Sequence, residues 1–452
     1  MRPAKRLISR AAANPLLRRV LRNSGYLLSA NALAMAGSML QGALAARLVG
    51  VEGLGIVGLV TDFATNLNRL TSFRMGQLVV RYVGEYSSRN QETEAAAAFK
   101  AAGLVEIGSS LAAVALILLL APLAATYLAH DPAATPLFRL YGLAILANLA
   151  NESATGLLQH SDRFRYLAQI TVGSSMFTLV LMVAAFLASG GLAAVVLAYT
   201  LGKASGAIAV SATAVSEARR RWGRTWWRTP LSSLASRWRE MAGFAASTNI
   251  STTITLITRD SELLWLGLLS DPVQVGYYKV ARALSSAVYL PVEPMISTTY
   301  RETAVESSSR RWPNVRYLLR SGSLLAGAWT LAGVFGLVVF GPWLLRLIYT
   351  AEFLPAYPVL VVLLIGAAAV NVFYWNRSLL LLLGMPQYPN WVHGIVGAAK
   401  IIGSLLWVPV GGAIAMAGLL SGYFAVTTGI LVRKSIRVLG LAEASAAHAE
   451  RA

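Results

Sequence analysis

Arg219-Arg-Arg-Trp-Gly-Arg-Thr-Trp-Trp-Arg228 stands near the middle of a 452-residue chain, with long apolar stretches on both sides. A run of Arg interleaved with Trp suits either an RNA surface or the headgroup layer of a membrane. The rest of the chain decides between them. Hydrophobic residues make up 56% and charged residues 13%, and mean hydropathy is +0.58. The charged share is about half of the roughly 25% usual in soluble domains. So few charges cannot cover an aqueous surface, so most of the outside must face lipid. This excludes a soluble enzyme, a disordered scaffold and a secreted disulfide domain. Cys is absent, which removes disulfides, thiolate nucleophiles and cysteine metal sites. His130, His160, His393 and His448 are scattered and make no recognisable metal cluster.

A spanning helix needs about 20 mostly apolar residues. Twelve segments qualify: 24–46, 54–73, 100–126, 137–159, 166–188, 191–214, 241–268, 275–298, 318–347, 356–383, 389–408 and 413–432. With the N-terminus inside, the inner segments 1–22, 74–100, 160–166, 216–240, 299–320 and 433–452 hold 29 of the 39 Lys and Arg. The outer links hold none beyond Arg47, Arg139 and Arg346 at helix ends. This asymmetry predicts both termini on the cytoplasmic side. It also accounts for the net charge of +19 without nucleic acid. The Arg219–Arg228 run reads as an interfacial anchor on anionic lipid. No cleavable signal peptide is expected, because the first apolar stretch is too long for one.

The two halves repeat. At an offset of 221, Leu48 meets Leu269, Gly55 meets Gly276, and Glu85-Tyr-Ser-Ser-Arg89 meets Glu306-Ser-Ser-Ser-Arg310. At an offset of 225, Asn151-Glu-Ser153 meets Asn376-Arg-Ser378, and Leu157-Leu158 meets Leu382-Leu383. Six helices per half make the repeat parallel, with its axis along the membrane normal. The expected organisation is a basic cytoplasmic tail (1–22), an N-lobe (23–215), a basic cytoplasmic linker (216–240), a C-lobe (241–432) and a cytoplasmic tail (433–452). Within the linker, Thr229-Pro230 predicts a short helix with Leu231, Leu234 and Trp238 on one face, lying on the membrane surface. Two six-helix lobes around a cleft is a transporter layout.

Some motifs mislead. Gly53-Leu-Gly-Ile-Val-Gly58 fits GxGxxG, but that fingerprint needs a βαβ unit. In a link entering a helix, it predicts close packing of two helices instead. Asn151, Asn249 and Asn376 open glycosylation sequons inside predicted spans, out of reach of glycosyl transfer. No HExxH, P-loop or GxSxG pattern is present.

The informative residues are ionisable groups within the spans: Arg69, Lys203, Arg259, Lys279, Arg282, Arg377 and Lys400, against Asp62, Glu106, Glu152, Asp260, Glu262 and Glu293. Each costs about 3 kcal/mol at the bilayer centre on insertion scales, so they should face water or one another. Asp260 with Arg282, and Glu152 with Arg377, are candidate neutralising pairs. Lys203, Lys279 and Lys400 then lack an evident partner. Surplus cations in low dielectric would concentrate anions such as phosphate. Asn371, Tyr374, Trp375 and Asn376, with Asn249, Thr252, Thr253 and Thr255, could bond and stack on a sugar, although helix–helix glue is the commoner role. Pro291 and Pro294 should break the helix around Glu293.

Three stretches carry a family resemblance: Arg47-Leu-Val-Gly-Val-Glu-Gly-Leu-Gly55, Arg259-Asp260 through Val275-Gly-Tyr-Tyr-Lys-Val-Ala-Arg282, and Gly341-Pro-Trp-Leu-Leu-Arg346 through Gly384. Over residues 20–435 the chain resembles the oligosaccharide flippases of the multidrug/oligosaccharidyl-lipid/polysaccharide (MOP) superfamily. The resemblance implies an all-α polytopic membrane protein of 12 helices in two lobes, MATE-like, in the inner membrane of a bacterium. It implies a non-enzymatic flippase for undecaprenyl-pyrophosphate-linked oligosaccharide. Its pyrophosphate would lie near Arg282, Lys279, Lys400, Lys203, Arg259 and Arg377, with Asn376 and Tyr374 beside the sugar. No cofactor is expected. A proton or Na⁺ is a candidate driver, with Asp260, Glu262 or Glu152 as couplers. Expected partners are the lipid-linked oligosaccharide, membrane lipids, and a polysaccharide polymerase and glycosyltransferases, without nucleic acid. The rivals are a drug/cation antiporter, which wants a cavity dominated by acidic groups, a membrane-bound glycosyltransferase, which wants a large aqueous loop, and a non-catalytic assembly partner.

Overall fold

A computed structural model of the chain describes residues 15–449. Among the described residues all regular structure is helical. In chain order the helices are α1 (Pro15–Thr71), α2 (Met75–Ser88), α3 (Glu92–Tyr127), α4 (Thr135–Ala147), α5 (Asn151–His160), α6 (Phe164–Leu187), α7 (Gly191–Trp222) and α8 (Trp238–Thr255). They continue with α9 (Glu262–Leu269), α10 (Pro272–Ser286), α11 (Glu293–Ser308), α12 (Trp312–Ile348), α13 (Ala356–Val372), α14 (Asn376–Leu382) and α15 (Gln387–Ala449). Eight helical stretches are long and apolar enough to cross a membrane. Large apolar side chains face outward on them: Leu187 is 78% exposed and Val410 91%. Such a surface suits lipid rather than water. The protein is a multi-pass membrane protein.

Several predicted spans are joined or broken. Spans 24–46 and 54–73 lie in α1, which turns at Gly50 (φ 69°). Spans 389–408 and 413–432 lie in α15, which turns at Gly412 (φ 52°). Both turns need left-handed backbone, which glycine adopts at little cost. At the second, the Gln274 side chain accepts from the Ala413 N–H at 3.0 Å. Span 241–268 is broken into α8, a π-turn over Leu256–Asp260, and α9. Span 275–298 stops at Ser286 and resumes as α11 from Glu293, around the two prolines. Spans 137–159 and 356–383 break without proline, before Asn151 and before Asn376. Those restarts are 225 residues apart, the offset at which the sequence matches. The basic segment 1–22 lies largely outside the described residues, while α15 runs on to Ala449 through most of 433–452.

The glycine reading of Gly53–Gly58 is borne out by packing. A Cβ on Gly55 would lie 1.8 Å from the Pro272 carbonyl oxygen, and one on Gly276 would lie 2.3 Å from that of Val51. Val51 and Pro272, like Gly55 and Gly276, are related by the 221-residue offset. The two repeat-equivalent helices therefore cross reciprocally, each glycine admitting the other's backbone.

The chain forms two compact units. One comprises residues up to 44, 63–122 and 135–253, and the second 45–62, 123–134 and 254 onward. In the first, Tyr82, Val79, Leu157 and Ala214 centre a core that also takes in Leu234 and Met241. The predicted surface helix after Thr229-Pro230 is one 3₁₀ turn, Leu231–Leu234. Leu234 is buried in that core rather than lying on the surface. Trp222 and Trp226 pack on Phe99, with ring centroids 5.8 and 5.3 Å away. Two acidic groups anchor the same segment: Arg221 bonds Glu92 with both nitrogens at 3.1 Å, and Arg237 bonds Glu85 at 2.8 and 3.2 Å. Three of the Trp and Arg side chains read as membrane anchors, Arg221, Trp222 and Trp226, are thus tied to protein groups. In the second unit, Val315, Leu319, Ala326 and Leu379 surround Tyr374 and Trp375.

Candidate functional site

The second unit gathers most of the intramembrane charge. Ser261 leaves helical geometry (φ −107°) between the π-turn and α9, which places Glu262 in the first turn of α9. A carboxylate there meets free N–H groups and the positive end of the helix. Its side chain is fully buried, and it bridges two cations. One oxygen bonds the Lys400 Nζ, and the other lies 3.5 Å from Arg282 Nη1. Lys400 donates also to the Thr258 carbonyl at 2.9 Å, a group of the π-turn. Its ammonium lies 5.9 Å from the centre of the Tyr423 ring, whose hydroxyl bonds His393 Nδ1 at 2.9 Å.

Two expectations are corrected here. Lys400 has a partner, and Arg282 bonds Glu262 rather than Asp260. Asp260 is held by its neighbour Arg259, at 3.1 Å. The physical reason is the π-turn. The helix breaks after it at Ser261 and restarts at Glu262, whose carboxylate meets Arg282 of α10 and Lys400 of α15, while Asp260 stays with Arg259.

Lys279 lies one turn before Arg282 on α10, and its chain packs against Gly58, with Cδ 3.1 Å from where a Cβ would stand. The Asp62 carboxylate acts on it electrostatically. Four cations of this unit (Arg259, Lys279, Arg282, Lys400) are thus accompanied by the carboxylates Asp62, Asp260 and Glu262. They differ in exposure. The Lys400 side chain is 4% exposed, while that of Arg282 is 39% exposed and that of Arg259 49%. An anion reaching the cluster would meet Arg282 and Arg259, with Lys400 held behind Glu262. Tyr278, the residue before Lys279, is fully buried, and its hydroxyl has no hydrogen-bond partner among the described residues.

The remaining candidates stand apart from this cluster. Lys203, in the first unit, donates to Thr65 Oγ1 at 3.3 Å and lies 5.3 Å from the Tyr141 ring centre. Glu152 in that unit gives its backbone N–H to Glu106 at 2.7 Å. Glu106 also accepts from the Ser153 N–H at 2.8 Å. It therefore caps α5, whose own preceding residue, Ala150, has no side-chain acceptor. In the second unit, Tyr374 is buried and bonds Thr299 at 2.7 Å. Asn376 opens α14 and its carbonyl accepts from Ser435 at 3.3 Å, beside the exposed Arg377. Asn371 donates to the Val288 carbonyl at 3.0 Å, and Trp375 to Ser323 at 2.7 Å. Asn249 donates to the Ser72 carbonyl within the first unit. These polar groups join helices. Sequence reasoning missed Thr258, Tyr423 and Tyr278 around the charge cluster. Only the lone buried-type Tyr within a charged helix face, Tyr278, had a signal that could have found it.

The fold defines a helical, multi-pass membrane protein with charged side chains buried among its helices. The arrangement is similar to the inward-facing conformation of a multidrug resistance MATE family transporter, with a TM-score of 0.77 at 12% identity, covering 91% of this chain and 95% of that one. It is also similar to the lipid II flippase MurJ in its inward closed conformation, with a TM-score of 0.72 at 14% identity, covering 92% and 90%. By sequence it is 23% identical over 347 residues to the inner membrane protein YghQ of Escherichia coli K12, covering 76% of this chain and 96% of that one. Residues 20–300 match the polysaccharide biosynthesis protein family, and the chain belongs to that family.

Proposed function

We propose that this protein is a flippase. It moves undecaprenyl-pyrophosphate-linked oligosaccharide, a repeat unit of a surface polysaccharide, from the inner to the outer leaflet of a bacterial cytoplasmic membrane. The observation that carries the reading is the partly exposed Arg282 guanidinium beside a fully buried carboxylate in a lipid-embedded bundle. A charge kept there is costly, and a doubly charged pyrophosphate is a ligand that offsets the cost. Membership of the polysaccharide biosynthesis family supports the substrate class, and a lipid II flippase among the structural neighbours supports the lipid-linked cargo. The name of the E. coli relative supports the inner membrane.

In this reading two six-helix lobes alternate between leaflets, and both termini are cytoplasmic. Arg282 and Arg259 meet the pyrophosphate first, with Lys279 beside them, and Lys203 and Arg377 are further candidate contacts for it. Lys400 acts through Glu262. Asn376 and Tyr374 are the candidate sugar contacts. Asp260, Glu262 and Glu152 are the candidate couplers for a proton or Na⁺. The chain performs no bond chemistry, and a polymerase and glycosyltransferases work on either side of it.

The test is complementation of a deletion strain. Arg282→Ala should remove surface polysaccharide while the protein level in the membrane is unchanged, and Arg282→Lys should restore part of it. Full export from an Arg282→Ala/Lys279→Ala variant overturns the reading. So does robust ethidium efflux by wild-type protein, which would mark a drug antiporter.

A further inference from the structure

The first unit also holds an apolar pocket. The start of α2, the middle of α3, the 3₁₀ turn Leu231–Leu234 and the first turns of α8 enclose about 320 Å³. Every residue lining it is apolar, among them Met75, Leu78, Val105, Leu234, Trp238 and Met241. Leu234 and Met241 belong to the buried core at its floor, whereas Val105 and Trp238 are 47% and 58% exposed at its mouth. The volume falls at the small end of ligand-sized pockets, about 300–1,000 Å³. A hydrocarbon lining binds hydrocarbon, and the two Met side chains let it adapt in shape.

A cation stands on the Trp238 ring at the mouth. The Arg239 guanidinium lies 5.8 Å from the ring centre of Trp238. Arg239 is exposed and, among the described residues, makes no ion pair. Its neighbour Arg237 differs, being bonded to both Glu85 and Glu240. An available cation at the rim of a carbon-lined hole matches a ligand that is oily at one end and anionic at the other. A soluble anion would leave the hole unused, and a zwitterionic lipid would gain little from the Arg. The long polyprenyl tail of the proposed cargo exceeds the volume, whereas one segment of an acyl chain fits. A Trp at the mouth, its ring amphipathic, is at home at this depth of a bilayer.

We propose that this pocket seats one acyl chain of an anionic phospholipid of the surrounding bilayer, with the headgroup phosphate on Arg239. The bound lipid ties the start of α8 to α2 and α3 and so holds the segment that leads out of α7. A ligand that binds the folded protein stabilises it by mass action.

The experiment uses the purified full chain in nanodiscs doped with phosphatidylglycerol carrying a diazirine on one acyl chain, or with phosphatidylcholine carrying the same chain. After irradiation, adducts are mapped by mass spectrometry. Phosphatidylglycerol should label the peptides holding Leu78, Val105 and Met241 about fivefold more than phosphatidylcholine, the effect of one Arg at a membrane surface. Arg239→Gln should bring the two lipids level. Ala242→Trp, at an exposed lining position, should remove both signals. Inorganic phosphate at millimolar concentration should compete with neither. Equal labelling of the wild type by the two lipids overturns the proposal, as does labelling confined to other peptides. Competition by phosphate would mark a site for a free anion and overturns it too. Should Ala242→Trp fail to fold, the exposed Arg239→Gln still decides.

Discussion

The Glu262 carboxylate is fully buried and is bonded to the nearly buried ammonium of Lys400, 138 residues away in the chain. Removing one partner of such a pair strands a charge and costs about 3–5 kcal/mol, whereas replacing both by neutral groups is often close to neutral. Lys400→Met should therefore lower the thermal unfolding temperature strongly, and Glu262→Gln/Lys400→Met should recover most of the loss. The measurement is a double-mutant cycle on purified protein in detergent. Additive effects of the two substitutions would show that the pair is not coupled.

The crossing at Gly55 and Gly276 tolerates no Cβ. The atoms in the way are backbone carbonyls of Pro272 and Val51, which cannot rotate aside. Overpacking costs about 1–3 kcal/mol where side chains can yield, so Gly55→Ala and Gly276→Ala should each reach or exceed that range. Gly108→Ala, where nothing lies within 4 Å, should instead be neutral or stabilise by up to about 1 kcal/mol through helix propensity. Thermal unfolding and the yield of monodisperse protein check this.

The Arg237 clamp predicts an acid-sensitive linker. Glu85 and Glu240 both have carboxyls held below the ordinary carboxylate value, first of all because Arg237 donates hydrogen bonds to each. Tyr82 adds a bond to Glu240 at 3.0 Å, and the Arg237 guanidinium stacks 5.4 and 5.6 Å from the Tyr82 and Tyr86 ring centres. A depressed carboxylate contributes stability above its unfolded value and loses it as pH falls through the folded value. The linker should thus resist proteolysis at neutral pH and become cleavable below the ordinary value of 4.5. In Arg237→Gln the cleavage rate between residues 223 and 237 should be raised at pH 7 and vary little on acidification. An unchanged pH profile in that variant would remove the clamp from the account.

Glu106 acts as a cap supplied from another helix. Its carboxylate takes two backbone N–H groups at the start of α5 and the Ser153 hydroxyl. Glu106→Ala leaves those donors buried without an acceptor, at about 1–3 kcal/mol. Glu106→Gln keeps one acceptor oxygen and should cost less. Hydrogen exchange at Glu152 and Ser153 reads the change locally, and equal exchange in the wild type and Glu106→Ala would dismiss the cap.

What was legible along the chain follows from how local each cause is. Runs of apolar residues, Pro291 and Pro294, and the small residues of Gly53–Gly58 act within a turn or two of where they stand, so spans, a helix break and a close crossing were readable. The 221- and 225-residue offsets were readable too, because a repeated fold leaves repeated residues at its turns. Leu234 was misjudged because its face could be seen but the core waiting for it, from α2, α5 and α7, could not. The breaks before Asn151 and Asn376 carry no proline. They are held by partners far away, Glu106 in one case and Ser323 and Thr299 in the other.

By itself the sequence determined a helical membrane protein with repeated halves and an excess of cations inside its spans, since hydropathy and residue spacing are properties of consecutive residues. Only the tertiary structure decided which charge meets which. A π-turn of five residues and the break at Ser261 precede Glu262, which bonds Lys400 and Arg282, while Asp260 bonds Arg259. The Glu262–Lys400 pair is set by ångströms between groups 138 residues apart, a separation that no local pattern records.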